Sequence, residues 1–115
     1  MAMANQIINP ILDPISPYYL SPNENPGAVL VPALLSGDNY HAWSRAMIMA
    51  LQMKNKMMFV DGSLPKPETH DQLYTVWSRC NSLVVSWITH SIQPSMVQSI
   101  LWMDTAKEIW DDLKE

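Results

Sequence analysis

The side chains with the greatest chemical potential in this chain are one cysteine, Cys80, and three histidines. His70 and His90 stand ten residues before and ten residues after Cys80, and His41 lies farther upstream. Ten residues of one helix rise about 15 Å, so neither neighbouring histidine reaches the thiol along a shared helix. Zinc-binding spacings such as Cys-x-x-Cys are lacking. We therefore expect no catalytic cysteine, no metal site and no bound cofactor, and we interpret Cys80 as a small core residue.

Acidic and basic side chains do not form a recognisable site either. Asp111 and Asp112 are adjacent, and adjacent positions of a helix point about 100° apart, which suits a solvated face better than paired acid–base catalysis. The one basic cluster comprises Arg45, Lys54 and Lys56, which is too few cations for a strong nucleic-acid site. The three glycines are dispersed and form no phosphate-binding loop. These patterns predict a protein that is not an enzyme and has no small-molecule substrate.

The length and composition indicate one globular domain. The chain has 115 residues, of which 48% are hydrophobic and five are tryptophans, so it can build a core. Charged residues make up only 16%, which argues against disorder throughout. The net charge of −4 disfavours unassisted nucleic-acid binding. Neither an apolar run of ~18 residues nor a secretory signal is recognisable. We expect a cytoplasmic protein without membrane contact.

Prolines dominate the first 27 residues, which we predict to form a disordered arm preceding a helical domain at 28–115. They are Pro10, Pro14, Pro17, Pro22 and Pro26. The alternative is an extended arm in which Tyr18, Tyr19 and Leu20 dock on the domain or on a neighbouring copy. The next segment, 28–35, is β-prone but contains a proline, so it predicts at most a short strand that pairs with Phe59–Val60.

The first helix is predicted over residues 39–54, after a turn at Gly37 and with Asn39 or Asp38 as its cap. One face carries large apolar side chains at helical spacing. They are Tyr40, Trp43, Met47, Ala50 and Leu51. A second face is also apolar, with Ala42, Ala46, Met49 and Met53. A helix with two apolar faces is expected to be buried on both sides or to lie at an interface.

Three further helices are predicted. Thr69 and Gln72 fit a capping box for a helix that ends near His90 or Ser91. Pro94 begins a short helix with Met96, Val97, Ile100 and Leu101 on its buried face. Thr105 and Glu108 fit a second capping box at the start of a last helix. The sequence ends at Lys114–Glu115 without a helix stop signal, which predicts a domain truncated within this helix. Four tryptophans lie on apolar faces and are expected to form the core: Trp43, Trp77, Trp87 and Trp110.

Methionine is abundant, with nine residues. Most are interpreted as core residues that fill gaps, because the side chain is flexible and apolar. The alternative is an adaptable contact surface between subunits. Met57–Met58 and Trp102–Met103 lie at predicted helix ends, where exposure is expected, and are our candidate self-association residues.

An ordered series of short blocks resembles the N-terminal region of plant copia-type LTR retrotransposon gag polyproteins, the copia-like N-terminal domain. The blocks are Pro17–Leu20, Asn25–Gly27, Leu35–Tyr40, Trp43–Met47, Lys54–Lys56, Trp77, Cys80–Asn81, Ser86–Ile88 and Thr105–Leu113. The series covers roughly residues 15–115. The residues carrying both the motif and the expected core are Gly37, Asn39, Tyr40, Trp43, Trp77, Trp87 and Trp110.

The resemblance implies an all-α fold, a small orthogonal bundle of about four helices similar to a capsid N-terminal lobe. It implies a structural domain that self-associates weakly during particle assembly, with element RNA held only through a zinc knuckle and other regions absent from this chain. Two alternatives remain from the residues: a soluble helical module that binds a protein or peptide in a groove, and a non-functional retroelement fragment.

Overall fold

The computed structural model describes residues 12–114 and confirms the predicted all-α class. Its described residues form five helices: α1 (Tyr40–Met53), α2 (Met58–Asp61), α3 (Tyr74–Thr89), α4 (Pro94–Val97) and α5 (Ala106–Leu113). Helix α2 packs on α3 and α5, and α3 packs on α5. The result is a small helical bundle in which α2 and α4 are single turns of four residues each.

Helix α1 follows the predicted boundaries, but its cap differs from the prediction. The Asn39 Oδ1 accepts from the Ser36 backbone N–H at 2.7 Å, and the Asn39 Nδ2 donates to the Leu34 carbonyl at 2.9 Å. The Asp38 carboxylate accepts from the Ser36 hydroxyl at 3.0 Å. Asn39 occupies the N-cap position as predicted, but neither its side chain nor that of Asp38 accepts from a helix amide, because both are occupied by the preceding turn.

The C-terminus of α1 shows why the predicted strand at Phe59–Val60 is wrong. Asn55 adopts a left-handed conformation with φ of 58°. The Asn55 N–H donates to the Gln52 carbonyl and the Lys56 N–H to the Leu51 carbonyl, at 3.1 and 2.9 Å. This is a Schellman motif with asparagine in the place often taken by glycine. It reverses the chain directly into α2, so Phe59 and Val60 are helical and buried.

The 28–35 segment instead meets the end of α3. Leu35 and Ile92 form an isolated parallel bridge. The Leu35 N–H donates to the Ser91 carbonyl and the Gln93 N–H donates to the Leu35 carbonyl, both at 3.0 Å. A bridge of one residue suits a segment containing proline, which has no amide to donate.

Helix α3 begins at Tyr74, so the predicted capping box at Thr69 and Gln72 is wrong. The Asp71 carboxylate accepts from the Leu73 N–H at 2.8 Å, and this turn leads into the helix. Thr69 therefore lies in the preceding loop. The buried face otherwise follows the predicted spacing, and it comprises Val76, Trp77, Cys80, Asn81, Leu83, Val84, Trp87 and Ile88.

The last two helices begin where the sequence predicts. Pro94 occupies the first turn of α4. The capping box of α5 is confirmed, since the Thr105 Oγ1 accepts from the Glu108 N–H at 3.1 Å and the Glu108 Oε1 accepts from the Thr105 N–H at 3.2 Å. The prediction for Leu101 is wrong: it is 59% exposed, because α4 ends at Val97 and the following turns direct Ile100 inward instead.

One hydrophobic core joins all five helices and includes the four predicted tryptophans. Trp43 and Trp110 bring α1 and α5 together with ring centroids 5.6 Å apart. Trp77 packs against Phe59 of α2 with centroids 6.4 Å apart. The fifth tryptophan, Trp102, is 73% exposed.

Residues 12–27 lie against this bundle, as in the docked alternative for the arm; the part of the predicted arm at 1–11 lies outside the described residues. The arm runs as four consecutive turns rather than as one extended stretch. Each turn begins at a residue whose side chain accepts from the N–H two positions later. These residues are Asp13, Ser16, Ser21 and Asn25.

Candidate functional site

The side chains tested for chemistry do not converge in the structure. Within residues 12–114, no group of three His, Cys, Asp or Glu side chains is placed to hold a metal ion. Cys80 is fully buried, and burial raises the pKa of its thiol, with Lys56 and Arg79 opposing that shift. A thiol with a raised pKa carries little of the nucleophilic thiolate. Across the described part of the chain, helices long and apolar enough to cross a bilayer are lacking.

The four candidate self-association residues occupy different environments. Met57, Met58 and Met103 are half-buried and pack against the core. Trp102 alone is strongly exposed, and its Nε1 donates to the Ser99 carbonyl at 2.9 Å. That bond fixes the ring and satisfies its only polar hydrogen. A partner can therefore cover the indole without leaving an unpaired donor.

The second apolar face of α1 is another exposed surface, and Leu12, Ile15 and Val29 are exposed elsewhere. Met49 is 54% exposed and Met53 is 87% exposed. Ala42 is also exposed on this face, whereas Ala46 is half-buried. The opposite face supplies Trp43, Met47 and Leu51 to the core. We name Met49 and Met53 the α1 patch, and Leu101 and Trp102 the Trp102 patch.

The arm contacts the bundle through its backbone carbonyls. Donors from α3 and from the α1–α2 connection each hold one of them. The four bonds run from Asn55 Nδ2 to the Ile15 carbonyl at 2.7 Å, from Lys56 Nζ to the Tyr19 carbonyl at 2.8 Å, from Trp87 Nε1 to the Asn25 carbonyl at 2.8 Å, and from Ser86 Oγ to the Pro26 carbonyl at 2.7 Å. The Tyr18 ring adds an apolar anchor, meeting Phe59 edge-to-face at 6.4 Å.

Lys56 is the least expected member of this contact, since it is only 2% exposed. Burial lowers the pKa of its ammonium group, while the nearby Cys80 and Glu24 oppose the shift. Glu24 itself pairs with Lys54 at 3.1 Å, and the Lys54 ammonium lies 4.9 Å from the centre of the Trp87 ring. The arm therefore covers a buried cation whose closest acceptor is the Tyr19 carbonyl.

A cleft of about 580 Å³ opens between the arm and α3. The arm supplies Leu20, Pro22 and Pro26 to its wall, and α3 supplies Arg79 and Leu83. Its wall is both apolar and charged, which suits a peptide better than a reaction centre.

The sequence did not identify three residues whose contacts hold the fold together. Asn55 ends α1, Lys56 holds the arm, and Asn81 joins α3 to α5. Asn55 had a recognisable signal, because asparagine before a new apolar run is a known helix stop. Lys56 and Asn81 belong to two of the family-like blocks, but no local signal indicated their contacts, since these depend on segments distant in sequence.

Comparison with known proteins supports one part of the resemblance. Residues 21–68 match the family model described as the gag polypeptide of LTR copia-type. The match begins within the arm and continues through α1 and α2 into the loop before α3. Searches of curated proteins and of solved structures found no match.

Proposed function

We propose, from the similarity of residues 21–68 to copia-type gag polypeptides, that this chain is a structural domain of a retrotransposon gag polyprotein. It acts without catalysis, and its work is weak self-association during the assembly of a particle. The family match is the observation that carries this proposal. The burial of Cys80 and the raised pKa of its thiol argue against this cysteine as a nucleophile.

The exposed apolar patches supply a physical basis for the association. The α1 patch and the Trp102 patch lie on different elements, so each copy has more than one surface for contact. Two different contact surfaces allow an array to grow beyond a dimer. Small patches of this kind fit interfaces below the standard ~1,600 Å², which are weak individually and suit reversible assembly.

The remaining parts of the proposal follow from this role. The protein acts in the cytoplasm, without membrane contact or small-molecule substrate. Its partner is a second copy of itself, and element RNA is bound by other parts of the polyprotein. The basic side chains Lys54 and Lys56 are occupied by the arm, which supports leaving RNA to those other parts.

A second candidate is a module that binds a peptide. The cleft between the arm and α3 favours it, because its wall combines apolar residues with the charged Glu24 and Arg79. A tight peptide ligand bound by a strictly monomeric protein would favour this function over assembly.

Sedimentation velocity over a wide concentration range tests the proposal. The average mass of the wild-type protein should increase with concentration, and Trp102→Asp should suppress the increase without lowering the melting temperature. Gln98→Asp is the matched control, since Gln98 is exposed and polar. Met57→Asp should instead lower the melting temperature, because Met57 packs against the core. A wild-type protein that stays monomeric at every concentration would contradict the proposed function.

A further inference from the structure

We infer that residues 13–26 of the arm also dock in the groove of a second copy, so that neighbouring copies exchange arms. The groove is the surface of α3 and of the α1–α2 connection that the arm covers in its own chain. This inference rests on the proposed function and adds to it a defined contact between subunits. The occupant is specified by the structure itself, because the arm of this sequence already lies in the groove. Exchange preserves the docking contacts of residues 13–26 and changes the path of the chain only at residues 27–29.

The division of hydrogen bonds makes the arm behave like a bound ligand. Many of its amide N–H groups donate within the four turns, and its prolines have none to offer. Four of its carbonyls accept from donors of the bundle, which are Asn55, Lys56, Ser86 and Trp87. A self-contained segment of this kind can leave and rebind without rearranging a sheet or helix.

Tyr18 gives the exchange its specificity. Its side chain is buried against Phe59, and the Cys80 thiol lies 3.6 Å from its carbonyl. The main-chain bonds would accept many sequences, whereas this pocket selects an aromatic ring at one position. The arm of another copy meets both requirements.

A hinge lies directly after the arm. The Pro26 carbonyl is the last arm acceptor held by α3, and the Leu30 N–H lies 3.4 Å from the Ser91 Oγ. Gly27 and Val29 between these points are exposed. In an exchanged pair, four residue steps span at most about 14 Å, which requires the C-terminal ends of the two α3 helices to lie side by side.

The competition between the two states depends on local concentration. An arm tethered to its own groove experiences an effective concentration in the millimolar range. Dilute protein should therefore keep its arm in its own groove. Copies held together by the α1 and Trp102 patches raise the local concentration of neighbouring arms, so exchange follows association rather than starting it.

An intermolecular nuclear Overhauser experiment tests arm exchange on the full chain. The chain has a single phenylalanine, Phe59, and four tyrosines. One population carries protonated phenylalanine and deuterated tyrosine, and a second carries the reverse, so any Phe–Tyr cross-peak joins two copies. In the mixture we expect a cross-peak between Phe59 and Tyr18 that strengthens with concentration. Tyr18→Leu should remove the peak, and Tyr40→Leu should leave it.

Sedimentation of the same mixtures separates the two possible failures. Increasing average mass without the Phe59–Tyr18 cross-peak would overturn arm exchange and leave the proposed function standing. A mixture that is monomeric at all concentrations and shows no cross-peak would overturn both. A mass increase accompanied by the cross-peak would support both.

Discussion

At the scale of single residues, the tryptophan side chains differ in how their indole N–H groups are satisfied. Trp43 donates to the Ser91 carbonyl at 2.7 Å and Trp87 donates to the Asn25 carbonyl. Trp77 is equally buried, yet its Nε1 has no acceptor among the described residues. Burying a donor without a partner costs free energy, so Trp77 contributes packing at a polar cost.

This difference predicts unequal effects of the same substitution. Trp43→Phe removes a buried hydrogen bond, whereas Trp77→Phe removes an unpaired donor. Trp43→Phe should therefore reduce the free energy of unfolding by about 1 kcal/mol more than Trp77→Phe. Chemical denaturation of both variants measures the difference, and Trp77→Ala should cost about 3–5 kcal/mol as a full truncation. A larger loss for Trp77→Phe than for Trp43→Phe would show that its N–H is satisfied in solution.

Lys56 predicts a dependence of stability on pH. Its folded pKa is lowered from 10.5 by burial, so between the lowered value and 10.5 the unfolded chain holds a proton that the folded chain has lost. The free energy of unfolding contributed by Lys56 therefore increases with pH across that window. Raised pKa values of Tyr18 and Cys80 act in the opposite direction. Subtracting the pH profile of Lys56→Met from that of the wild type gives the contribution of Lys56 together with its effect on Cys80, and a flat difference would contradict the assignment.

The sequence was informative about which residues are apolar and periodic, and less so about individual polar contacts. Trp43, Trp87 and Trp110 are buried where helical spacing puts them. The polar contacts of Asn39 were not predictable, because the same amide can cap a helix or close the preceding turn. Lys56 could not be recognised as buried, since lysine is nearly always exposed and its cover is the distant arm.

At the scale of elements, the start of α5 is fixed by Asn81 of α3, which bonds to the backbone on both sides of Thr105. Asn81, buried on α3, accepts from the Ala106 N–H at 2.8 Å and donates to the Asp104 carbonyl at 3.0 Å. The capping box of Thr105 and Glu108 satisfies the next amides. A helix of eight residues is unstable alone, so these contacts and the core position of Trp110 fix α5 on α3.

Asn81→Ala should therefore destabilise the protein more than the loss of either cap residue. It leaves the buried Ala106 N–H unpaired, at a cost of about 1–3 kcal/mol. Thr105→Ala should cost about 1 kcal/mol, since it removes one capping bond at an exposed helix end. Hydrogen exchange of the α5 amides measures both effects. Equal protection in the wild type and Asn81→Ala would show that Asn81 does not anchor α5.

Predicted helix boundaries agreed with the structure where the local sequence signal was strong. The long amphipathic pattern located α1 and α3, and Pro94 and Thr105 located the starts of α4 and α5. The single-turn helix α2 was not predicted, because Phe59–Val60 alone does not distinguish strand from helix. The left-handed Asn55 decides between them by reversing the chain after α1.

At the scale of the whole molecule, the arm is docked on the bundle, whereas the α1 patch and the Trp102 patch are exposed to solvent. The Pro-rich segment 12–27 lies on α3 and on the α1–α2 connection, where it covers Cys80 and Lys56. Met53 and Trp102 remain exposed. The apolar second face of α1 was predictable from its spacing, and the structure shows that nothing in the described chain covers Met49 or Met53. The exposure of Trp102 was also predictable, from its place at a helix end, whereas the half-burial of Met103 beside it depends on the turns after α4.

The average mass in solution of a double variant tests the central claim, self-association through these patches, most directly. Met53→Lys combined with Trp102→Lys places one positive charge on each patch while both side chains are already in solvent. A cation also suits the C-terminal end of α1, so the melting temperature should not fall below that of the wild type. Sedimentation equilibrium at increasing concentration should show growing average mass for the wild type and a constant monomer mass for the double variant. A double variant that associates as strongly as the wild type, or a wild type that remains monomeric throughout, would contradict the account.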